Sequence, residues 1–268
     1  AGTCNTFPQP STHPSFVRSF LTHSETQRSW STFSSRNKPS FQAPVPYGAG
    51  GHGVPPSPLS ETELHSLAKA LNIPVEGRNH TALMKDCFQK LFDGCLHGNG
   101  DVIKKLKDLV ERITDATGKT LFLRMVEEGR EAQIQQFFLW GIDCRYCDPQ
   151  GNNGLHLAAM NGYAELVPYL SDKFGINDLN KSGKTPLHLS IEKGHAQAVG
   201  TLLKNGAAPD ISWQSPNGIV YSPLALAIQS GNTLIVDRIL ERNPAQLKDP
   251  IPHTGTVLHL AIKTRKTE

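Results

Sequence analysis

The sequence predicts an all-α solenoid of about four to five helix-turn-helix repeats, preceded by a helical cap. Similar segments recur along the second half of the chain, and the best of them carries signals for a helix start and a helix end. Self-similarity at a fixed period of about 20–50 residues is typical of repeat proteins, whose neighbouring units bury a shared core. The leading leucines of these segments are separated by 34, 32, 37 and 34 residues, and they are Leu121, Leu155, Leu187, Leu224 and Leu258.

Composition limits the classes of function. The chain has 268 residues, of which 38% are hydrophobic, and a formal net charge of +3. This charge is too small to indicate nucleic acid or a membrane surface as a partner. No apolar run reaches the roughly 18–20 residues that a membrane span needs. Five cysteines without a regular framework favour a reducing compartment, the cytoplasm or the nucleus.

Residues 1–58 form a zone of their own. Fifteen of the first forty residues are Ser or Thr, and Glu25 is the only acidic residue among them. The Gly- and Pro-rich run 47–56 is typical of a flexible linker. We therefore expect an irregular or disordered segment. Its aromatic residues leave open that it belongs to an upstream domain, and because the chain begins at Ala1 we expect the natural protein to be longer.

Residues 59–93 predict two helices. Ser60 with Glu63 forms a capping-box pattern, and Asn79 is placed to cap the second helix. The expected buried faces are Leu64, Leu67, Ala68 and Leu71 in the first helix, and Leu83, Met84, Cys87 and Phe88 in the second. With the extended loop 73–78, this pattern resembles SAP-type nucleic-acid modules. Only a few basic residues accompany it, namely His65, Lys69, Arg78 and Lys85. We favour a cap that shields the array at 94–268, with nucleic-acid binding as the alternative.

The clearest repeat lies at 183–195. Thr185 is a good N-cap, Pro186 fits the first helical position, and Gly194 permits the left-handed conformation that ends a helix. Second helices are predicted at 164–173, 197–204 and 233–242. A half-copy at 95–113 precedes a weaker copy that starts at Gly118. The last copy has no room for its second helix, so we expect the natural protein to continue.

The segment Thr185-Pro186-Leu187-His188 resembles the signature of the ankyrin-repeat family. The resemblance implies two antiparallel helices in each repeat, a concave surface of hairpin tips and first helices, and protein binding without catalysis. It also implies that the recurring His156, His188 and His259 brace turns by hydrogen bonding. The sequence departs from the signature at 153–154, where Asn-Gly replaces Thr-Pro, so we expect a less pre-organised helix start there.

Candidate chemistry is sparse. Cys144 and Cys147 form a single Cys-x-x-Cys pair, which needs two further ligands to make a zinc site. Cys95 and His97 would supply them only if the first two repeats brought these residues together. No phosphate-binding loop, dinucleotide fingerprint or HExxH motif is present. We therefore expect no catalytic residue, no metal and no cofactor.

The predicted partner-binding site centres on the long spacing between Leu187 and Leu224. The extra residues fall within 208–221, and this loop contains aromatic residues of the types enriched at interface hot spots. The predicted contacts on this loop and its neighbouring hairpins are Trp213, Gln214, Tyr221, Asn180, Lys181 and His253. The alternative is that the two aromatic residues fold back on the adjoining repeat. Contacts would then move to the concave positions Met160, Asn161, Glu192, Lys193, Gln229 and Ser230.

The leading functional hypothesis is a monomeric protein-interaction scaffold. One alternative is that the array recruits a substrate for a catalytic domain outside this sequence. Short arrays joined to helical caps and Ser/Thr-rich segments are also similar to ankyrin effectors that intracellular bacteria inject into host cells. An ordinary cytoplasmic or nuclear adaptor is the other origin considered.

Overall fold

The computed structural model describes residues 56–96, 100–248, 250–251 and 255–256. In this part of the chain, the α-helices are α1 Glu61–Ala70, α2 His80–Leu96, α3 Gly100–Lys105, α4 Lys107–Val110, α5 Leu121–Glu127, α6 Glu131–Leu139, α7 Gly154–Asn161, α8 Val167–Ser171, α9 Pro186–Glu192, α10 Ala196–Lys204, α11 Pro223–Gln229 and α12 Thr233–Arg242. A 3₁₀ helix spans Pro244–Lys248. Two short antiparallel hairpins pair β1 Trp213–Gln214 with β2 Val220–Tyr221, and β3 Pro250–Ile251 with β4 Gly255–Thr256.

The first two helices begin where the sequence predicts. The hydroxyl of Ser60 accepts a hydrogen bond from the Glu63 amide at 3.3 Å, and the Glu63 carboxylate accepts one from the Ser60 amide at 2.8 Å. Asn79 caps α2 through its side-chain oxygen, which accepts from the Ala82 amide at 2.8 Å. The predicted apolar faces are buried, except that Met84 is only partly covered. Local capping and apolar periodicity therefore define this region.

Arg112 ties the start of α1 to the chain that follows α4. Its guanidinium donates to both carboxylate oxygens of Glu63, at 2.7 and 3.0 Å. It also donates to the backbone carbonyls of Ser57 and Pro58, at 3.3 and 3.1 Å. One side chain thus joins residues about fifty positions apart in the sequence. The role of 59–93 as a cap, and the domain boundaries at 58 and 93, stay predictions.

This contact predicts a pH-dependent stability. The hydrogen bond from Arg112, with those from Ser60, lowers the pKa of Glu63 from 4.5 to about 2. Because the folded-state pKa lies below the ordinary one, ionised Glu63 stabilises the fold above about pH 4.5, and this stabilisation is lost as the pH falls toward 2. We expect Glu63→Gln to lower the free energy of unfolding at pH 7, and the difference from wild type to shrink between pH 5 and about 3.

Urea denaturation at each pH measures this difference. Glu61→Gln is the matched control, because Glu61 lies on the same turn of α1 and is exposed. A difference for Glu63→Gln that does not change with pH would contradict the ion-pair explanation.

Four helix pairs follow, and their first helices, α5, α7, α9 and α11, pack side by side. Each first helix begins after a side-chain N-cap, and the caps are Thr120, Asn153, Thr185 and Ser222. The leading leucines of these helices, Leu121, Leu155, Leu187 and Leu224, are all 0% exposed. The repeat predicted from leucine spacing is therefore confirmed as a row of helices with a shared core.

Two details differ from expectation. Asn153 forms a complete capping box with His156, so the helix start without Pro is as well capped as the others. A Cβ at Gly154 would lie 2.9 Å from the ring of Phe122, so close packing requires this glycine.

Helix α8 is shorter than the predicted 164–173, because Pro168 lacks an amide hydrogen and fits only the first turn of a helix.

Neighbouring repeats are also joined at the turn between their two helices. After α7, α9 and α11, the residue that follows the terminating glycine donates a hydrogen bond to a backbone carbonyl of the preceding repeat. These bonds are Tyr163 Oη to Glu127 at 3.2 Å, His195 Nε2 to Met160 at 3.0 Å, and Asn232 Nδ2 to Gly194 at 3.4 Å. We call this series the turn braces. It fixes each repeat on the one before it.

Candidate partner-binding groove

The repeats share one type of hairpin tip. In three of them an Asp or Asn begins the turn, and its side-chain oxygen accepts two backbone amides, as Asp148 does from Gln150 at 3.0 Å and from Asn152 at 2.7 Å. In the next hairpin Ser215 takes this position. Its backbone makes the same turn, with the Ser215 amide donating to the Ile219 carbonyl at 2.8 Å. The turn therefore keeps its backbone geometry although Ser replaces Asp or Asn at its first position.

The hairpin at Ser215 is longer than its neighbours on both arms. In the preceding hairpin one residue separates Gly183 from the N-cap Thr185, whereas three separate Gly218 from the N-cap Ser222. The added residues allow Val220 and Tyr221 to form β2.

The arm before the turn is longer by the same amount. In an earlier hairpin six residues separate Gly141 from Asp148, whereas eight separate Gly206 from Ser215. This arm contributes β1, in which Trp213 pairs with Tyr221 across the hairpin. Two extra residues in each arm carry the tip outward by about 7 Å. The predicted insertion is thus an extended hairpin with a regular ladder.

Trp213 joins the extended hairpin to the adjoining one. Its indole N–H donates to the Ser182 carbonyl at 2.9 Å. The Lys184 ammonium lies 4.2 Å from the centroid of the indole ring. The ring of Tyr221 stacks on the indole with centroids 6.1 Å apart. Trp213 therefore contacts the adjoining hairpin, as the alternative interpretation proposed, whereas Tyr221 stacks on Trp213, and both keep part of their surface exposed.

The ammonium of Lys184 is held on a second side by a carboxylate. Its Nζ lies 2.6 Å from Oε1 of Glu192, at the end of α9. Lys119 and Glu127 form the equivalent pair two repeats earlier, at 2.5 Å. The Lys184 side chain is 17% exposed, so this cation is largely enclosed between Trp213 and Glu192.

An open groove of about 360 Å³ lies between the extended hairpin and the ends of α9 and α11. Its lining combines aromatic rings, hydroxyls, amides and one carboxylate, and consists of Glu192, Trp213, Ser215, Asn217, Tyr221, Leu226, Gln229 and Ser230. We call this the hairpin groove. Five of these residues were predicted as partner contacts from the sequence. Ser215, Asn217 and Leu226 were not, although the Asn-Gly turn dipeptide at 217–218 marks the tip of the hairpin.

The other predicted contacts lie outside the groove. Asn180 is only 6% exposed, and its side-chain oxygen accepts the amides of Ser182 and Lys184 within the turn. Lys181 donates to the Pro149 carbonyl at 2.6 Å. Exposed Gln214 and Lys193, together with Met160 and Asn161 at the end of α7, do not line it. His253 lies outside the described residues. Partner contact by any of these residues stays a prediction.

Comparison with known proteins bears on these features. The sequence profile of ankyrin repeats (3 copies) matches residues 91–213. Residues 91–213 are therefore similar to ankyrin repeats. The match runs from the end of α2 to Trp213 in β1 and includes the three helix pairs α5 and α6, α7 and α8, and α9 and α10.

Curated relatives share this array over part of the chain. Transient receptor potential cation channel subfamily A member 1 from Homo sapiens is 27% identical over 149 residues, which are 54% of this chain and 13% of that protein. Palmitoyltransferase ZDHHC13 from Mus musculus is 30% identical over 122 residues, 44% of this chain and 19% of the relative. Alpha-latrotoxin-Lg1a from Latrodectus geometricus is 33% identical over 166 residues, which are 61% of this chain and 11% of that protein. The chain thus spans less than a fifth of the length of these relatives.

The ankyrin histidines have a structural role. Nδ1 of His188 accepts from the Thr185 amide at 3.2 Å, and His156 makes the equivalent contact with Asn153 at 3.4 Å. Burial lowers the pKa of both imidazoles to about 4, so they are neutral at pH 7. The predicted bracing is confirmed for these two residues, whereas His259 lies outside the described residues.

The buried thiols of the array are not activated. Burial raises the pKa of Cys87 to about 11 and that of Cys95 to about 12, and it also raises the pKa of Cys144. Cys147 is buried as well. Among the described residues, no group of three or more His, Cys, Asp or Glu side chains is placed to hold a metal ion. His97 lies outside the described residues.

A second cavity lies between α2 and the loop before it. It has a volume of about 670 Å³, and the charged residues that line it are Arg78, Asp86, Lys90 and Asp93. Arg78 pairs with Asp86. Two basic and two acidic side chains do not supply the surplus of positive charge that binding to a phosphate backbone requires. Across the part of the chain that the structure describes, no helix is long and apolar enough to cross a membrane.

Proposed function

We propose that this ankyrin array is a protein-interaction scaffold that holds its partner in the hairpin groove. Ankyrin repeats imply protein partners in general. The observation that carries the choice of site is the extended hairpin, which makes one wall of an open groove while the ends of two first helices make the other. Trp213 and Tyr221 contribute aromatic surface of the kind enriched at interface hot spots.

The groove is already formed without a partner. The Ser182 carbonyl, the Lys184 ammonium and the Tyr221 ring hold Trp213 from three sides. A surface fixed in this way loses little conformational freedom on binding, so a larger share of the contact energy appears as affinity.

We expect Trp213→Ala to weaken partner binding by about 2 kcal/mol or more. The measurement is a quantitative pull-down from cell extract with the wild-type chain and two variants, followed by titration of each candidate partner. The matched control is Tyr169→Ala on α8, since Tyr169 is 44% exposed and does not line the groove. The melting temperature should stay close to the wild-type value in both variants.

A partner captured equally by all three chains would place the binding site elsewhere on the array. A fall in melting temperature of Trp213→Ala, without a change in affinity, would identify Trp213 as a structural residue and remove the hairpin groove from the proposal.

The second candidate function is that the array forms part of a larger enzyme. It is favoured by one observation, that a relative named as a palmitoyltransferase contains a similar stretch in 19% of its length. In this case the groove recruits a substrate for a catalytic domain elsewhere in the natural protein, and the complete coding sequence decides it. The bacterial-effector origin, the monomeric state and the cytoplasmic or nuclear location predicted from the sequence stay predictions.

A further inference from the structure

We propose that the hairpin groove receives a basic side chain, preferably arginine, from an extended peptide segment of the partner. This inference rests on the proposed function and adds the chemical class of the bound group. It follows from the charge of the lining, the helix ends that meet there and the aromatic wall.

Among the described residues, no Lys or Arg side chain lines the groove, although the Lys184 ammonium lies behind the lining, 2.6 Å from Glu192. The charged residue of the lining is Glu192, whose side chain is 30% exposed. The polar side chains that line it, Ser215, Asn217, Gln229 and Ser230, all carry oxygen atoms that accept hydrogen bonds. An Arg guanidinium offers five donors and no acceptor, so it matches this set of oxygens.

Two helices point their C-terminal ends toward the groove. Glu192 is the last residue of α9, and Gln229 is the last residue of α11. Neither helix has a basic residue in its last turn, although exposed Lys193 follows Glu192 as the C-cap of α9. The unpaired carbonyls of a helix C-terminus carry partial negative charge, which favours a cation. The partial negative charge of the helix ends and the carboxylate of Glu192 therefore both favour a cation in the groove.

One cation of the chain already packs against the aromatic wall of the groove. Lys184 places its ammonium over the Trp213 ring, at 4.2 Å from the centroid, and against Glu192 at 2.6 Å. This internal cation uses Oε1 of Glu192. A partner's guanidinium would approach the exposed part of this carboxylate, and Tyr221, which lines the same groove, offers a ring on which arginine can stack.

The test uses two opposite changes at one exposed position of the lining, Gln229. The probes are the peptides acetyl-Gly-Arg-Gly-Arg-Gly-amide and its glutamine analogue, titrated into the isotope-labelled chain and followed by the NMR signals of the lining residues. We expect the arginine peptide to shift these signals and the glutamine peptide to shift them less. Gln229→Glu should tighten arginine-peptide binding roughly two- to fivefold, and Gln229→Lys should weaken it by a similar factor. Both effects should shrink at high salt.

Each outcome decides the proposal. Three results would overturn it. These are equal responses to the glutamine and arginine peptides, weaker arginine-peptide binding by Gln229→Glu together with tighter binding by Gln229→Lys, and no shift of the NMR signals of the groove. Circular dichroism of both variants separates a charge effect from unfolding. If partner binding in the pull-down depends on Trp213 while the arginine peptide does not bind, the proposed function is supported and the specificity for a basic side chain is wrong. If neither partner binding nor peptide binding depends on the groove, the proposed function and the basic specificity are both wrong.

Discussion

Leu187→Ala should lower the free energy of unfolding by about 2–5 kcal/mol. Leu187 is 0% exposed and lies on α9, which packs between α7 and α11. Its truncation therefore leaves a cavity where three repeats meet, and the surrounding helices are held by caps and turn braces that limit their collapse into it. Chemical denaturation followed by circular dichroism measures the loss.

Leu139→Ala is the matched control. Leu139 is the last residue of α6 and is 76% exposed, so its truncation removes little buried surface and should change the stability by no more than about 0.5 kcal/mol. Similar losses for the two variants would mean that the leading leucines do not form the core of the array.

Gly162→Ala should destabilise the array by about 2–4 kcal/mol. Gly162 ends α7 in the left-handed conformation, with φ 79°. A Cβ there would lie 2.7 Å from Nδ1 of His195, the residue that braces the turn by donating to the Met160 carbonyl. The substitution therefore combines backbone strain with displacement of a turn brace. The measurement is urea denaturation.

Gly231→Ala separates these two effects. Gly231 has a similar conformation, with φ 71°, but no atom of the described residues lies within 4 Å of the position its Cβ would take. It should cost about 1–2 kcal/mol from backbone strain alone. In a His195→Ala background the clash at Gly162 is removed, so Gly162→Ala should there cost about as much as Gly231→Ala. An unchanged cost in that background would show that the brace does not contribute.

Much of the fold was predictable because its signals are local. The capping boxes at Ser60 and Thr185 join residues three positions apart, and the predicted helix 233–242 agrees with α12. Helix α10 begins one residue before its predicted start. Helix α8 was predicted too long, since the apolar pattern was given more weight than Pro168.

The candidate site was predictable only as a region. The long spacing located the segment 208–221, and residue type singled out Trp213 and Tyr221. Asn180 was chosen because it lies on a neighbouring hairpin, yet its side chain stabilises the turn from inside. Whether a hairpin side chain faces a partner or its own backbone depends on the turn conformation, which spacing alone does not give.

The sequence by itself determined the ankyrin period, the helix caps and the leucine core, because each depends on residues a few positions apart or on a repeated pattern. The tertiary structure decided that the insertion divides equally between two arms, that Trp213 lies under Lys184, and that His195 reaches Met160. These contacts join residues about 30 or more positions apart. Their geometry is fixed only when adjacent repeats have stacked, because stacking sets the distance between one hairpin and the next.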